Sequence, residues 1–220
     1  MEPFDKFLEA LPVNNRHEIA QLNSPLKIQN YLDEIPYRPE DEYYCPASIF
    51  RDGKAHCFDG GLFAAACLRK LGYPPIIVQM IPWHDDDHIL AIYKKSGRFG
   101  AVAKSNFVGL RIREPVYLSL RELILSYFDV FYSVEGEFTL RGYSRPLNLL
   151  PFDKYDWMCR DEGAQEVAAR LSTQNHYSIL TDKMVGDLRK VNPLTYRAGM
   201  LNTIPEGLYD PNKKKAHQSR

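Results

Sequence analysis

The chain has 220 residues, 45% of them hydrophobic, and its 28 lysines and arginines balance its 28 aspartates and glutamates. This length can bury one sizeable core, and nothing in the composition requires a second domain. The charge balance gives no overall attraction toward nucleic acid or an anionic membrane, so neither is expected as a partner. We predict one domain over residues 1–210 and a disordered basic tail over 211–220.

The N-terminal residues carry charges throughout and lack the continuous apolar stretch of a secretory signal. The longest apolar runs are too short to span a bilayer. The four cysteines are widely spaced, which is typical of reduced thiols rather than of a disulfide framework. These features predict a soluble, cytoplasmic protein.

Two helices are predicted in the first third of the chain. The first follows Ser24, which can cap it, and has Pro25 at its first position. The second starts at Cys57 and ends near Gly72, with Pro74 just beyond. The stretch between them is rich in proline and is predicted to be an extended loop.

A sheet is predicted after the second helix. The β-branched apolar run 76–81 favours a buried strand, and segments 88–95 and 98–108 flank Ser96 and Gly97 as an antiparallel hairpin.

More helices are predicted downstream. Ser119 and Glu122 have the spacing of a capping box, which predicts a helix packed on the sheet. Residues 161–171 and 177–191 are predicted to form two further helices.

Cys57 is the candidate nucleophile. A cysteine at a helix N-terminus is stabilised as a thiolate by the unpaired N–H groups and the helix dipole. A lone free cysteine is more often a small buried hydrophobe. Here, however, His88 opens a following strand and Asn106 closes its hairpin partner, which is the element order of a Cys-His-Asn triad.

The stretches CFDGGLFAAACLRKLGYPP, DDDHILAIY and FGAVAKSN resemble the bacterial transglutaminase-like superfamily. The resemblance implies an α+β, papain-like core, with a central helix packed on an antiparallel sheet and additional N- and C-terminal helices. It also implies thiol-dependent acyl transfer on a peptide or a small amide or ester, catalysed by Cys57, His88 and Asn106. No cofactor or metal is expected.

The third member of the triad depends on the hairpin register. A two-residue turn pairs Lys95 with Arg98 and places Ser105 opposite His88, whereas an odd-length loop brings Asn106 to the histidine face. We choose Asn106, because an amide oxygen can accept the imidazole N–H without a hydroxyl rotor being held. Ser105 remains the alternative.

Two other interpretations are open. Residues 84–88 are rich in histidine and aspartate and could bind a metal, but consecutive loop side chains diverge, so a solvated acidic turn is favoured. The protein could also be a catalytically inactive domain that binds a peptide or a partner protein in the same cleft.

Overall fold

The computed structural model describes residues 2–40 and 42–210. The predicted basic tail at 211–220 therefore lies outside the described residues. In chain order, the α-helices are α1 (Pro3–Glu9), α2 (Val13–Gln21), α3 (Pro25–Glu34), α4 (Ser48–Asp52), α5 (Cys57–Lys70), α6 (Leu120–Leu125), α7 (Asp161–Ser172), α8 (Asp182–Gly186) and α9 (Pro193–Gly199). The strands are β1 (Ile76–Pro82), β2 (His88–Lys95), β3 (Arg98–Val102), β4 (Arg113–Tyr117), β5 (Leu140–Ser144), β6 (Leu147–Asn148) and β7 (His176–Ser178).

The strands form one antiparallel sheet in the order β4-β3-β2-β1-β5-β7, and β6 pairs with β1. Helix α5 packs on one face, where Ile89 and Ala91 of β2 join its core cluster. Leu90 and Ile92 point to the opposite face and pack with α6. The predicted α+β class, with a central helix on an antiparallel sheet, is confirmed.

The β2–β3 hairpin has a two-residue turn. Ser96 and Gly97 both have positive φ angles, 49° and 77°, as a tight turn of the primed type requires. Lys95 consequently pairs with Arg98. The odd-length loop that we associated with Asn106 is therefore wrong. Strand β3 ends at Val102, so neither Ser105 nor Asn106 is paired with β2.

Helix α3 is fixed at both ends by side chains. The Ser24 hydroxyl accepts a hydrogen bond from the Lys27 N–H at 3.2 Å, which confirms the predicted cap. At the other end the buried Lys104 ammonium donates to the carbonyls of Leu32, at 2.6 Å, and Ile35. Because Lys104 directly follows the hairpin, this contact ties α3 to the end of β3 beside the candidate site.

The predicted helix over residues 177–191 is wrong at its start. Tyr177 and Ser178 belong to β7 and pair with β5, and the helix covers only Asp182–Gly186. At α6 the Ser119 hydroxyl accepts from the Glu122 N–H, as predicted, but the Glu122 carboxylate accepts from the N–H of Leu118. None of the helices in the described part of the chain has the length and apolar character needed to cross a bilayer.

Candidate active site

Cys57 is the first residue of α5, and His56 immediately precedes the helix. The His56 N–H donates to the Asp59 carboxylate at 2.7 Å, which closes the first turn. Gly61 lets the helix approach the sheet, because a Cβ at this position would lie 2.6 Å from the Ile89 methyl carbon Cγ2. The nucleophile candidate is thus held at the point where α5 meets the start of β2.

A buried ion pair between Arg38 and Asp59 lies at the first turn of α5. The Arg38 guanidinium is 2% exposed and lies 3.3 Å from the fully buried Asp59 carboxylate. Arg38 also binds the Asp52 carboxylate at 2.9 Å and the Lys54 carbonyl at 3.1 Å. Removing one partner of such a pair leaves an uncompensated buried charge, so loss of Arg38 or Asp59 is expected to destabilise the start of the helix.

The Cys57 thiol contacts the His56 ring and the backbone of Asp87 and Ile89. Its Sγ lies 3.5 Å from Nδ1 of His56 and 3.5 Å from the carbonyl oxygen of Asp87. Burial raises the pKa of the Cys57 thiol well above its ordinary value, and the charges of Asp86 and Asp59 raise it further. The expected thiolate is therefore not the resting form, because desolvation outweighs the stabilising effect of the helix N-terminus.

His88 opens β2, as predicted, but its ring turns to the sheet face that carries α6. Nε2 of His88 lies 2.7 Å from the carbonyl oxygen of Leu110. Burial lowers the pKa of His88 to about 4, against the opposing effect of the Leu110 hydrogen bond. The ring is neutral near pH 7, and since a carbonyl only accepts, its proton is on Nε2 and Nδ1 is bare.

Cys57 opens into a large cleft on one side and a small cavity on the other. The cleft has a volume of about 410 Å³. The small cavity is about 30 Å³, which is room for about one water molecule. Among the described residues, His56 lines the cleft but not the small cavity, and His88 lines the small cavity but not the cleft. No hydrogen bond joins Sγ to the His88 ring in this part of the chain.

Asn106 and Ser105 also line the small cavity, but their hydrogen bonds go elsewhere. The Asn106 amide donates to the Ile204 carbonyl at 3.0 Å and accepts from the Ile204 N–H at 2.9 Å. The Ser105 hydroxyl accepts from the Phe107 N–H at 3.0 Å. The structure thus brings Cys57, His88 and Asn106 around one cavity, and the group that binds the imidazole is the Leu110 carbonyl. The catalytic assignment of the three residues stays a prediction.

The far wall of the cleft was not found from the sequence. It is formed by Leu171 and Ser172 at the end of α7 and by His176 of β7. These residues are more than a hundred positions from Cys57 and carry no local motif. The acidic turn contributes Asp86 and Asp87 to the cleft, and within residues 2–40 and 42–210 no group of three histidine, cysteine or acidic side chains is arranged to bind a metal.

The sequence matches no protein-family model and no curated protein. Among solved structures, it is similar to EGTA-treated LapG of Legionella pneumophila, with 11% identity and a TM-score of 0.40. The matched region covers 74% of this chain and 95% of LapG. Membership of the transglutaminase-like superfamily stays a prediction.

Proposed function

We propose that the protein is a thiol-dependent acyl-transfer enzyme that acts on an amide or ester carbonyl of a peptide or small molecule, with Cys57 as nucleophile and His88 as base. The observation that carries the proposal is the position of the thiol. It lies at the first residue of a buried helix, on the wall of a cleft of substrate size, with an imidazole on either side.

The hydrogen bond to Leu110 supports the role of His88. It keeps the proton on Nε2 and leaves Nδ1 bare to accept the thiol proton. In this proposal the Leu110 carbonyl orients the ring, which is the task that the sequence interpretation gave to Asn106. Asn106 is then a positioning residue, which holds the chain at Ile204 beside the cavity.

The reaction has two steps. In acylation the thiol proton moves to His88, Sγ bonds to the carbonyl carbon, and the C–N or C–O bond breaks to leave a thioester on Cys57. In deacylation water or an amine bonds to the same carbon, the C–S bond breaks, and Sγ recovers its proton. Water makes the protein a hydrolase and an amine makes it a transferase.

The oxyanion of the tetrahedral intermediate would form beside the start of α5. The backbone N–H of Cys57 donates to the Tyr37 hydroxyl, which lines the small cavity next to the thiol. Burial raises the pKa of Tyr37 well above its ordinary value, so the hydroxyl stays protonated and can itself donate. In this proposal the Tyr37 hydroxyl, itself bound by the Cys57 N–H, donates to the negatively charged carbonyl oxygen.

The proposal is tested with p-nitrophenyl acetate. We expect release of p-nitrophenolate and an acetyl group on Cys57, located by peptide mass spectrometry. Cys57→Ala should show neither, whereas Cys159→Ala, which removes a half-buried cysteine outside the site, should behave as the wild type.

A catalytically inactive binding domain is the second candidate, because the resting thiol is protonated and forms no hydrogen bond with His88 among the described residues. A folded wild-type protein whose Cys57 never becomes acetylated would support that candidate and contradict the enzyme.

A further inference from the structure

His56 has no part in the two steps above, yet its ring is the one that contacts the reacting sulfur. Nδ1 of His56 lies 3.5 Å from Sγ of Cys57. Its ring also packs against Tyr37, with 5.3 Å between ring centroids. The start of α5 fixes the position of His56, because its backbone N–H donates to the Asp59 carboxylate.

His56 and His88 line different cavities. Among the residues that the structure describes, His88 lines the small cavity, which has room for about one water molecule, and does not line the cleft. His56 faces the cleft of about 410 Å³. A leaving group or an acyl acceptor larger than water must therefore occupy the cleft, where it meets His56 and not His88.

We propose that His56 is a second catalytic residue, which exchanges protons with the leaving group and the acyl acceptor in the cleft, whereas His88 exchanges the proton of the thiol. This inference rests on the proposed acyl-transfer function.

The contacts of the thiol agree with this division. A thiol has one proton, and a backbone carbonyl can only accept. When the Cys57 S–H donates to the Asp87 carbonyl, Sγ remains an acceptor, and His56 can donate to it in the form that carries a proton on Nδ1. In that form His56 carries a proton next to the reacting sulfur, while His88 presents a bare nitrogen.

The proton count closes over the full cycle. In acylation the thiol proton passes to His88, and the His56 imidazolium gives a proton to the departing amine or alcohol. In deacylation the attacking water or amine gives a proton to His56, and the His88 imidazolium returns one to Sγ. Asp86 and Asp87 line the same cleft, so their carboxylates face the place where His56 would carry positive charge in this cycle.

The roles separate in the kinetics of p-nitrophenyl acetate, since p-nitrophenolate leaves as an anion and needs no proton. With this substrate the His56 imidazolium releases its proton to solvent before His56 accepts one from the attacking water. For His56→Gln we expect an undiminished burst, an accumulating acetyl group on Cys57, and a steady-state rate lower by about 10²-fold, because deacylation by water loses its base. For His88→Gln the burst itself should slow by about 10²-fold. His17→Gln, on the exposed face of α2, is the matched control and should leave both phases unchanged.

Each outcome decides a different question. An unchanged steady-state rate in His56→Gln would overturn the role of His56. Loss of the burst in His56→Gln, with a native circular dichroism spectrum, would make His56 the base of the thiol and overturn the division. A wild type that never acetylates Cys57 would instead contradict the proposed function on which the inference rests.

Discussion

At Cys57 and His88, burial determines which protonation states are stable. Burial raises the pKa of the thiol and lowers the pKa of the imidazole, so the uncharged pair is the stable form. A preformed thiolate and imidazolium would lose the solvation of both charges, because both residues are about 95% buried. In the proposed reaction the proton therefore moves as sulfur attacks, rather than before.

The buried neutral His88 makes stability depend on pH. Its pKa is about 4 in the folded chain and near its ordinary value of 6.5 when unfolded. Between these values the unfolded chain binds a proton that the folded chain does not, so the free energy of unfolding decreases as the pH falls. We expect His88→Gln to remove this component, which amounts to about 2 kcal/mol between pH 6.5 and 4.5.

Urea denaturation of both proteins at the two pH values measures the difference. Glutamine keeps an N–H that can donate to the Leu110 carbonyl, so loss of that hydrogen bond is not the cause of any change. His17→Gln, which alters an exposed histidine, should retain the pH dependence of the wild type. Equal losses of stability in wild type and His88→Gln on acidification would mean that His88 is not held neutral by the fold.

At the scale of elements, the contact between α5 and β2 sets the position of Cys57, the candidate nucleophile. Gly60 faces the Lys104 side chain and Gly61 faces Ile89, in each case with less space than a Cβ requires. The helix can therefore lie close to the sheet only because both positions lack a side chain. Any displacement of α5 moves Cys57 with it.

Gly61→Ala tests this close approach. The added Cβ would lie 2.6 Å from Cγ2 of Ile89, so we expect a loss of about 1–3 kcal/mol in the free energy of unfolding. Gly186→Ala in α8 is the matched control, because no atom lies within 4 Å of its added Cβ. Helix propensity alone favours alanine there by up to about 1 kcal/mol.

Chemical denaturation of the two variants gives the comparison. If Gly61→Ala is as stable as Gly186→Ala, the sheet yields to the added methyl group and the close approach does not fix the helix.

The elements that could be predicted from the sequence are those with local causes. Helix α3 has its serine cap, α5 has its boundary residues, and the β2–β3 hairpin turns at Ser96 and Gly97, although the choice of Asn106 assumed an odd-length loop. Strand β7 could not be predicted, because Tyr177 and Ser178 are exposed and are held in a strand by pairing with β5, more than thirty residues earlier. The sequence analysis instead included both residues in the helix predicted over 177–191.

At the scale of the whole molecule, the candidate site is assembled from distant segments. The order of Cys57 and His88 in the chain was enough to place both residues at one site. The sequence could not show that His88 binds the Leu110 carbonyl or that Asn106 binds Ile204, because a backbone carbonyl has no signature in a sequence. The sequence could therefore offer only side chains, Asn106 and Ser105, for the third position of the predicted triad.

Asn106 joins the site to a segment 98 residues further along the chain. Gly207 of that segment packs against Tyr37 and Asn106, where a Cβ would lie 2.9 Å from the Tyr37 ring. Gly207 and Tyr209 line the small cavity together with Cys57 and His88. The C-terminal segment thus forms part of the wall around the thiol, and the Asn106 amide holds it there.

Asn106→Ala and Ser105→Ala separate a tethering role from an orienting one. Loss of two hydrogen bonds to the Ile204 backbone, each contributing about 0.5–1.5 kcal/mol, should speed hydrogen exchange of the Ile204 amide by about 10–100-fold in Asn106→Ala. Ser105→Ala removes only a local bond to the Phe107 N–H and should leave that amide protected.

The acylation burst with p-nitrophenyl acetate completes the test. We expect a larger loss in Asn106→Ala than in Ser105→Ala, because only Asn106 holds the segment that lines the cavity. The loss should still be smaller than in His88→Gln, since Leu110 continues to orient the ring. A burst as slow as that of His88→Gln, with the Ile204 amide still protected, would show instead that Asn106 orients His88 directly, and the Leu110 carbonyl would lose the role proposed for it.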